Sequence, residues 1–480
     1  MNQHESATHH QAIVEALYAR WPENRIAPSL GRMRAICDLL GNPERSAPVI
    51  QITGTNGKGS TAAMIDALLR SAGLRTGRMA SPHLQDVAER ILIDGEPITV
   101  ERFDELHEEL APLVEIVDGQ LIDGVRMTAF ELYTAMGFAA FADAPVDVMI
   151  LEVGMGGSWD ATNVADALVA VITPIDLDHT HILGSTTVEI AKEKSGIIKA
   201  GATAVLAGQT PEVAQVLLDR CAAVGAAPVL EGPGFGLVQR EVALGGQVIR
   251  IETSDGPLGG LHLPLHGAHM ASNAALAVAA AEAFFGGKGL TPDVIADGLA
   301  ATAIPARLEV VRREPTIVLD TAHNPHGVRA TLAATQEAFG FDPLIGVVAM
   351  MRDKDSAGVL DLFAEVMDRI VVTTVQSSSR AHTPDELAAL AEEAFGAGRV
   401  ESRDTMVDAL ERAVQLADEA GEGAGVLVVG SFIAAGEARD HLVGRGPATG
   451  RSNPLAGATT HEWDFSDFDE PEGAPGEVIS

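Results

Sequence analysis

Seven consecutive residues, Gly54-Thr55-Asn56-Gly57-Lys58-Gly59-Ser60, carry the clearest chemistry in this chain of 480 residues. The apolar, β-branched run Val49-Ile50-Gln51-Ile52-Thr53 precedes them, and the helix-like stretch Thr61–Leu69 follows. Strand, glycine turn and helix start together make a cradle for phosphate. The glycines let the backbone turn tightly and aim its N–H groups at anionic oxygens, and the helix N-terminus adds positive potential. In such a cradle Lys58 reaches the terminal phosphates, and the Ser60 hydroxyl is a ligand for Mg²⁺. The spacing departs from Gly-x-x-x-x-Gly-Lys-Ser/Thr, because Ile52 stands at the first glycine and Gly59 separates Lys58 from Ser60. The competing reading is a plain glycine-rich turn, which the strand-to-helix context disfavours.

Further groups stand where a cradle of this kind would use them. The apolar run Asp147–Leu151 ends in Glu152. Ligands bind outside the carboxyl ends of strands in an open parallel sheet, so Glu152 is placed to meet a metal or water; otherwise it is an ordinary strand-end acid. Asp178-His179 follows the next apolar run, Leu168–Ile172. Carboxylates and an imidazole on one edge suit a divalent ion, with oxygen donors favouring Mg²⁺ and His several other metals. A surface histidine is the alternative. Lys192-Glu193-Lys194-Ser195-Gly196 reads from its residue types as the solvated end of a helix capped by Gly196. A neutral lysine amine can nevertheless take up CO₂ and become an oxygen ligand. Asp320-Thr321-Ala322-His323-Asn324-Pro325 again sets a carboxylate and an imidazole after a strand-like run, and Arg307 just before it offers a planar fork for phosphate or a linker salt bridge. Ser377-Ser378-Ser379-Arg380-Ala381-His382 leads into Thr383-Pro384-Asp385-Glu386, an N-cap, N1 proline and capping box. There, and at Gly430-Ser431, a substrate contact by Arg380, His382 or Ser431 competes with a purely structural helix start.

The elements that must position these groups alternate. After a helix, a proline turn and a second helix over residues 11–40, strands are expected at Val49–Thr53, Arg75–Met79, Val146–Val153, Leu168–Ile172 and Ala204–Leu206. Helices intervene at Val100–Leu113, Ala129–Phe141, Thr187–Lys194 and Glu212–Val224, with a hairpin element around Ile91–Gly95. That rhythm predicts an α/β fold with a mostly parallel sheet covered on both faces. Pro228–His266 turns to short Gly-rich pieces, expected as an antiparallel extension, and a helix at Ser272–Phe285 follows. Ile304-Pro305 marks a boundary, beyond which strands at Ile317–Leu319, Leu344–Ala349, Ile370–Val375 and Val426–Val429 start a second βα series. This series lacks Gly-x-Gly-x-x-Gly after its first strand, which argues against a dinucleotide site. From Gly446 the chain is acidic and rich in Gly and Pro, with Trp463, Phe465 and Phe468 as weak docking points, and disorder is expected.

Bulk properties exclude several classes. A net charge of −34 opposes a nucleic-acid partner, which needs a basic surface. Two cysteines, Cys37 and Cys221, imply neither a disulfide framework nor a thiolate zinc site. The most apolar tracts, Ala129–Ala142 and Ala271–Phe285, fall short of the ~20 residues of a membrane span. Residues 1–10 lack a signal-peptide core, so a cytoplasmic protein is expected.

In combination, Gly54–Ser60, Ser81-Pro82-His83-Leu84, Glu152-Val153-Gly154-Met155-Gly156-Gly157 and Asp160-Ala161-Thr162-Asn163 resemble the Mur ligase superfamily. Asp178-His179-Thr180, Glu193-Lys194-Ser195-Gly196-Ile197-Ile198-Lys199 and Asp320–Pro325 narrow the resemblance to folylpolyglutamate synthase/dihydrofolate synthase, in order over Pro28–Arg439. The family's phosphate loop has the same short form. The resemblance implies a P-loop-type ATPase domain over 1–304, a smaller Rossmann-like glutamate ligase domain over 305–445, and a tail, 446–480, outside it. It implies that the Gly54–Ser60 loop, Asn273, Arg307 and Asp320 bind ATP, and that Ser60, Ser81, Glu152 and His179 surround Mg²⁺, as two ions with K⁺ a further cation. It makes Lys58, a carbamylated Lys194 and His323 catalytic, and puts the pterin against Thr128, Phe130, Glu131, Asp160, Ala161 and Thr162. The implied reaction joins L-glutamate to dihydropteroate and to reduced folates through an acyl phosphate, in a monomer free of nucleic acid and membrane. A monofunctional folylpolyglutamate synthase, a ligase for a cell-wall precursor and a regulatory ATPase remain as rivals. A GTPase switch is disfavoured because Asn-Lys-x-Asp does not occur.

Overall fold

The computed structural model describes residues 3–20, 27–376, 378, 380–396 and 398–444. Ser377, Ser379 and the acidic tail with Trp463, Phe465 and Phe468 lie outside the described residues.

The first strands are β1 (Val49–Thr53), β2 (Thr76–Met79), β3 (Ile91–Ile93) and β4 (Glu96–Pro97). With β5 (Val148–Glu152), β6 (Ala167–Ile172), β7 (Thr203–Leu206) and β8 (Ala227–Leu230) they form one sheet in the order β4-β3-β2-β5-β1-β6-β7-β8. Pairing is parallel from β2 to β8 and antiparallel at the β3–β4 edge. β1 lies centrally, every residue buried, which is why its sequence is a continuous apolar run. Ile50 and Ile52 face the helices Lys58–Ser71 and Ala268–Phe284, while Val49 faces Gly31–Leu39 and Ala129–Asp143.

Two expectations needed correction here. The Pro228–His266 region is not an extension of the large sheet beyond β8. Pro228–Leu230 belong to β8, and the rest forms a separate sheet, antiparallel as expected, of β9 (Gly236–Ala243), β10 (Gly246–Thr253) and β11 (Gly256–Leu263), whose Ile249, Ile251, Leu261 and Leu263 pack on the helix Ala268–Phe284. The helix expected to end at Leu113 runs from Val100 to Gln120 through Pro112. Its buried stripe Phe103, Leu106, Leu110, Val114 and Val117 keeps the helical period across the proline, and that packing outweighs one lost backbone bond.

The second lobe holds β12 (Arg307–Arg313), β13 (Thr316–Asp320), β14 (Leu344–Val348), β15 (Arg369–Val372), β16 (Val400–Ser402) and β17 (Gly425–Val429). Their order is β12-β13-β17-β14-β15-β16, parallel except for the antiparallel edge strand β12. β12 and β16 escaped the sequence reading because edge strands bury little; Arg307-Leu308-Glu309-Val310-Val311-Arg312-Arg313 has a charged residue at every exposed position. Cys37 and Cys221 are free and buried. Among the described residues no helix is long and apolar enough to cross a membrane.

Candidate active site

The carboxyl ends of β1, β5 and β6 in the first sheet and of β13 and β17 in the second open onto one cleft of about 220 Å³. The Gly54–Ser60 turn forms its floor. Glycine is required at two points. Gly57 has φ +88°, and a Cβ there would come within 2.9 Å of the Asn273 amide; at Gly54 it would sit 1.8 Å from the Thr173 hydroxyl. Thr55 pins the turn to the end of β6, its N–H donating to Pro174 O (3.0 Å) and its hydroxyl to Asp176 O (2.8 Å).

Two lysines converge on one carbonyl. Lys194 Nζ donates to Gly54 O at 2.7 Å, and Lys58 Nζ donates to the same oxygen at 3.2 Å and to Thr55 O at 3.2 Å. Burial, then the charge of Lys58, lowers the Lys194 pKa to about 7; burial also lowers that of Lys58. The solvated helix end expected at Lys194 is therefore overturned: the residue is 4% exposed. Glycines bring this about, since a Cβ at Gly157 would lie 2.7 Å from Lys194 O and one at Gly196 would lie 2.5 Å from Ser158. Gly196 is a packing glycine and not a helix cap; a short 3₁₀ turn, Ser195–Ile197, continues through it.

Glu152 is buried between the Ser81 N–H, which donates to Oε2 at 3.2 Å, and Gly59, whose missing Cβ leaves both carboxylate oxygens 3.4 Å away. Burial raises its pKa and Lys58 opposes the rise. His179, held at φ +51°, is kept neutral mainly by burial, its pKa lowered to about 4. Among the described residues no three or more His, Cys, Asp or Glu side chains gather as a metal cage. A buried carboxylate beside serine hydroxyls, with phosphate oxygens supplying the rest, suits Mg²⁺, which prefers such partial sets. Ser60, Ser81, Glu152 and His179 all line the cleft and fit that ion.

From the second lobe Arg307 places its guanidinium 5.2 Å from the Phe432 ring centroid, and His323 sits 5.7 Å from the same ring. His323 Nδ1 pairs with Thr321 O at 3.0 Å; with Nδ1–H as the donor, Nε2 is left as an acceptor. Burial, then the charge of Lys354, lowers its pKa to about 4. Asp320 lines the cleft, yet its carboxylate is engaged by the Leu308 and Ala322 N–H groups and the Thr331 hydroxyl, at 3.1, 2.8 and 3.0 Å. Asn273 lines the cleft beside Gly57.

Sequence reasoning missed Lys354, which bonds Asp178 at 3.1 Å across the two lobes while Asn324 donates to the same carboxylate at 3.3 Å. Burial pushes the Asp178 carboxyl up, but Lys354, His179 and His323 together hold it below the usual carboxylate range. The available signal was a cation in the loop after a parallel strand, here β14. Lys354 does not itself line the cleft, but Phe432, His269 and His326 do and were missed; Phe432 follows the Gly430-Ser431 pair that had been noticed.

The residues expected to hold the pterin do not themselves line the cleft. Thr128 and Glu131 form the capping box of the helix Ala129–Asp143, and Glu131 pairs with buried Arg32, both oxygens 3.0 Å from Nε. Asp160 accepts from the N–H groups of Gly154 (3.1 Å), Met155 (3.1 Å) and Thr162 (3.0 Å), and Ala161 and Thr162 are buried. The Phe130 ring lies where a Cβ at Gly154 would come within 2.5 Å of it, and Gly154 lines the cleft. The three glutamate candidates do not line the cleft. Arg380 pairs with Asp353 (2.7 Å), His382 Nε2 with the Ser356 hydroxyl (3.1 Å), and Ser431 Oγ caps its helix by accepting from Ile433 N–H (3.1 Å).

A phosphate cradle on one parallel sheet, faced across a cleft by an arginine from a second, defines the Mur-type class of ATP-dependent ligases. Family models agree: residues 52–281 match the Mur ligase middle domain and 306–432 the Mur ligase glutamate ligase domain. The dihydrofolate synthase/folylpolyglutamate synthase of Mycobacterium tuberculosis is 44% identical over 459 residues, 91% of this chain and 94% of that one. The structure of M. tuberculosis folylpolyglutamate synthase complexed with ADP superposes with a TM-score of 0.88 at 44% identity, over 92% of this chain and all of that chain. The Escherichia coli enzyme in complex with DHPP and ADP gives 0.79 at 29% identity, over 91% and 98%. The chain belongs to the dihydrofolate synthase/folylpolyglutamate synthase family of Mur ligases.

Proposed function

We propose that this chain carries both activities of its family, joining L-glutamate to dihydropteroate and to reduced folates at the expense of ATP. The observation that carries this reading is that Lys58 and Glu152 of the first lobe and Arg307 of the second line one cleft. A carboxylate is a poor acyl donor at neutral pH and must be activated. Its oxygen attacks the γ-phosphorus, the bond to the β-bridging oxygen breaks, and an acyl phosphate and ADP result. The glutamate amine then attacks the acyl carbon, phosphate leaves, and the amine gives up a proton.

The residues divide this work. Turn N–H groups from Gly54 to Ser60 hold the phosphates in line, and Lys58 and Arg307 balance charge as it spreads over the transferring group. A helix N-terminus contributes about 0.3–2 kcal/mol, too little alone. Ser60, Ser81, Glu152 and His179 would hold Mg²⁺, which when bound would supply further charge neutralisation to the phosphates. The half-neutral Lys194 amine is suited to carbamylation, which converts a cation beside Lys58 into an anionic oxygen donor and removes their repulsion. His323, neutral with Nε2 free to accept, holds an N–H of the incoming amine. The pterin lies against Phe130 and the loop that Asp160 stiffens. Glutamate carboxylates are met beside Lys354, whose loop is bridged to the Arg380–His382 segment by Met351 and Ala381.

Phosphate release with dihydropteroate, tetrahydrofolate or a muropeptide precursor, each with and without glutamate, tests this. Glutamate-dependent release with both pterins is expected; turnover with the muropeptide alone would overturn it.

A further inference from the structure

The helix Phe432–Leu442 of the second lobe lies on the loop Ser81–Arg90 of the first. The approach is backbone-close. A Cβ at Gly436 would fall 2.1 Å from Leu84 O, a distance no side chain tolerates. Beside it Arg439, 8% exposed, donates to Gln85 Oε1 at 2.5 Å and to both oxygens of Glu309 at 3.2 and 3.1 Å. The Gln85 amide also donates to Asp440. One guanidinium thus ties together two segments that both run into the cleft. The loop is internally rigid, since the Glu89 carboxylate takes the N–H groups of Leu84, Gln85 and Asp86 and Ala80 N–H bonds Arg90 O, so a pull at Gln85 is felt at Ser81. Glu309 accepts from Ala306 N–H at 2.8 Å. Ala306 and Leu308 flank Arg307 at φ +52° and +48°, a conformation that non-glycine residues hold only when surrounding contacts impose it. Asp320 fixes one of these peptides, and Glu309, braced by Arg439, fixes the other.

We propose that Arg439, with Gly436 and Gln85, is a positioning residue that couples the seating of the second lobe to the placement of Ser81 and Arg307 at the phosphate end of the site. This rests on the reading above that Ser81 and Arg307 face nucleotide phosphate. Arg439 does not line the cleft; it acts by holding one end of each segment. A misplacement near 1 Å at the reacting atoms is enough to cost about a hundredfold in rate.

Steady-state kinetics and ADP calorimetry on the full chain test this. Arg439→Met, Gln85→Ala and Gly436→Ala are each expected to lower kcat and raise the KM for MgATP between about tenfold and about a hundredfold, with the KM for the pterin unchanged. Arg439→Lys cannot span both partners and restores little. The Arg439→Met and Gln85→Ala double variant should lose no more than the worse single one. Gly436→Ala separates the loop from the helix without deleting a polar group, so it reports even if Arg439→Met folds poorly. Lowered melting temperature with unchanged kinetics in Gly436→Ala and Gln85→Ala would overturn the coupling. Ser81→Ala and Arg307→Ala serve as references. If they leave MgATP kinetics intact, the site reading fails; if they impair them while the three distal variants do not, the coupling alone fails.

Discussion

Two turns face each other across the cleft, and they are built in opposite ways. Gly54–Ser60 reaches its shape because glycine tolerates it: φ is +88° at Gly57, and there and at Gly54 a side chain has no room. Ala306-Arg307-Leu308 reaches an equally unusual shape without a glycine, at φ +52° and +48° on either side of the arginine. Its conformation is imposed from outside by the carboxylates of Glu309 and Asp320. The first turn carries its geometry in its own residues, whereas the second borrows it from neighbours. The cradle's shape is thus set locally, whereas the placement of the arginine depends on contacts within its own lobe.

That contrast can be broken experimentally. In the preformed turn, Lys58→Ala should reduce phosphate release by about a thousandfold, with ADP affinity falling far less; turnover near that of the unmodified chain would remove the cradle from the reaction. Across the cleft, Asp320→Asn keeps shape but weakens the hold on Leu308, and a drop in kcat of about tenfold to a hundredfold is expected. An equal loss of stability without kinetic change would mean that the borrowed geometry does not matter to turnover. Lys194→Ala should slow turnover by roughly tenfold or more, with short carboxylates partly restoring it. The pH sign follows from its pKa of about 7: the neutral amine that takes up CO₂ prevails above that pH, so at equal dissolved CO₂ the depleted enzyme should recover faster at alkaline than at acid pH. No dependence on bicarbonate at any pH argues against the carbamate.

The smallest expected effect concerns the far side of the Ser81 loop. His10 sits between Asp86 and Asp104, at 3.5 and 2.7 Å. Its pKa is raised from 6.5 to about 9, first by the hydrogen bond to Asp86, with burial opposing and Asp104 adding. A raised folded-state value contributes stability fully present below 6.5 and lost as pH climbs through 9. His10→Gln should therefore melt roughly 2 °C below the unmodified chain at pH 6, and the two should converge at alkaline pH. A gap that persists unchanged there would assign His10 a packing role only.

Much of this was legible in the chain itself, and the pattern of what was not is physical. The phosphate turn, the strand ending in Glu152, the helix Thr187–Lys194 and the capping box at Thr383 are local devices, with the residues that create them within a few positions of one another. Edge strands β12 and β16 were lost because half-buried charged strands carry little apolar alternation. The glutamate candidates Arg380, His382 and Ser431 were chosen for standing after strands, and in the structure each has a protein partner.

Sequence by itself determined the α/β alternation, the phosphate cradle and the order of chemical groups along the strand ends, because backbone φ preferences and hydrophobic periodicity act over short range. Tertiary structure decided that Lys194 is buried beside Lys58, that Lys354 crosses to Asp178, and that Arg439 stands between Gln85 and Glu309. Those partners lie far apart in the chain, and a side chain's burial and charge environment are set by whatever the fold brings against it.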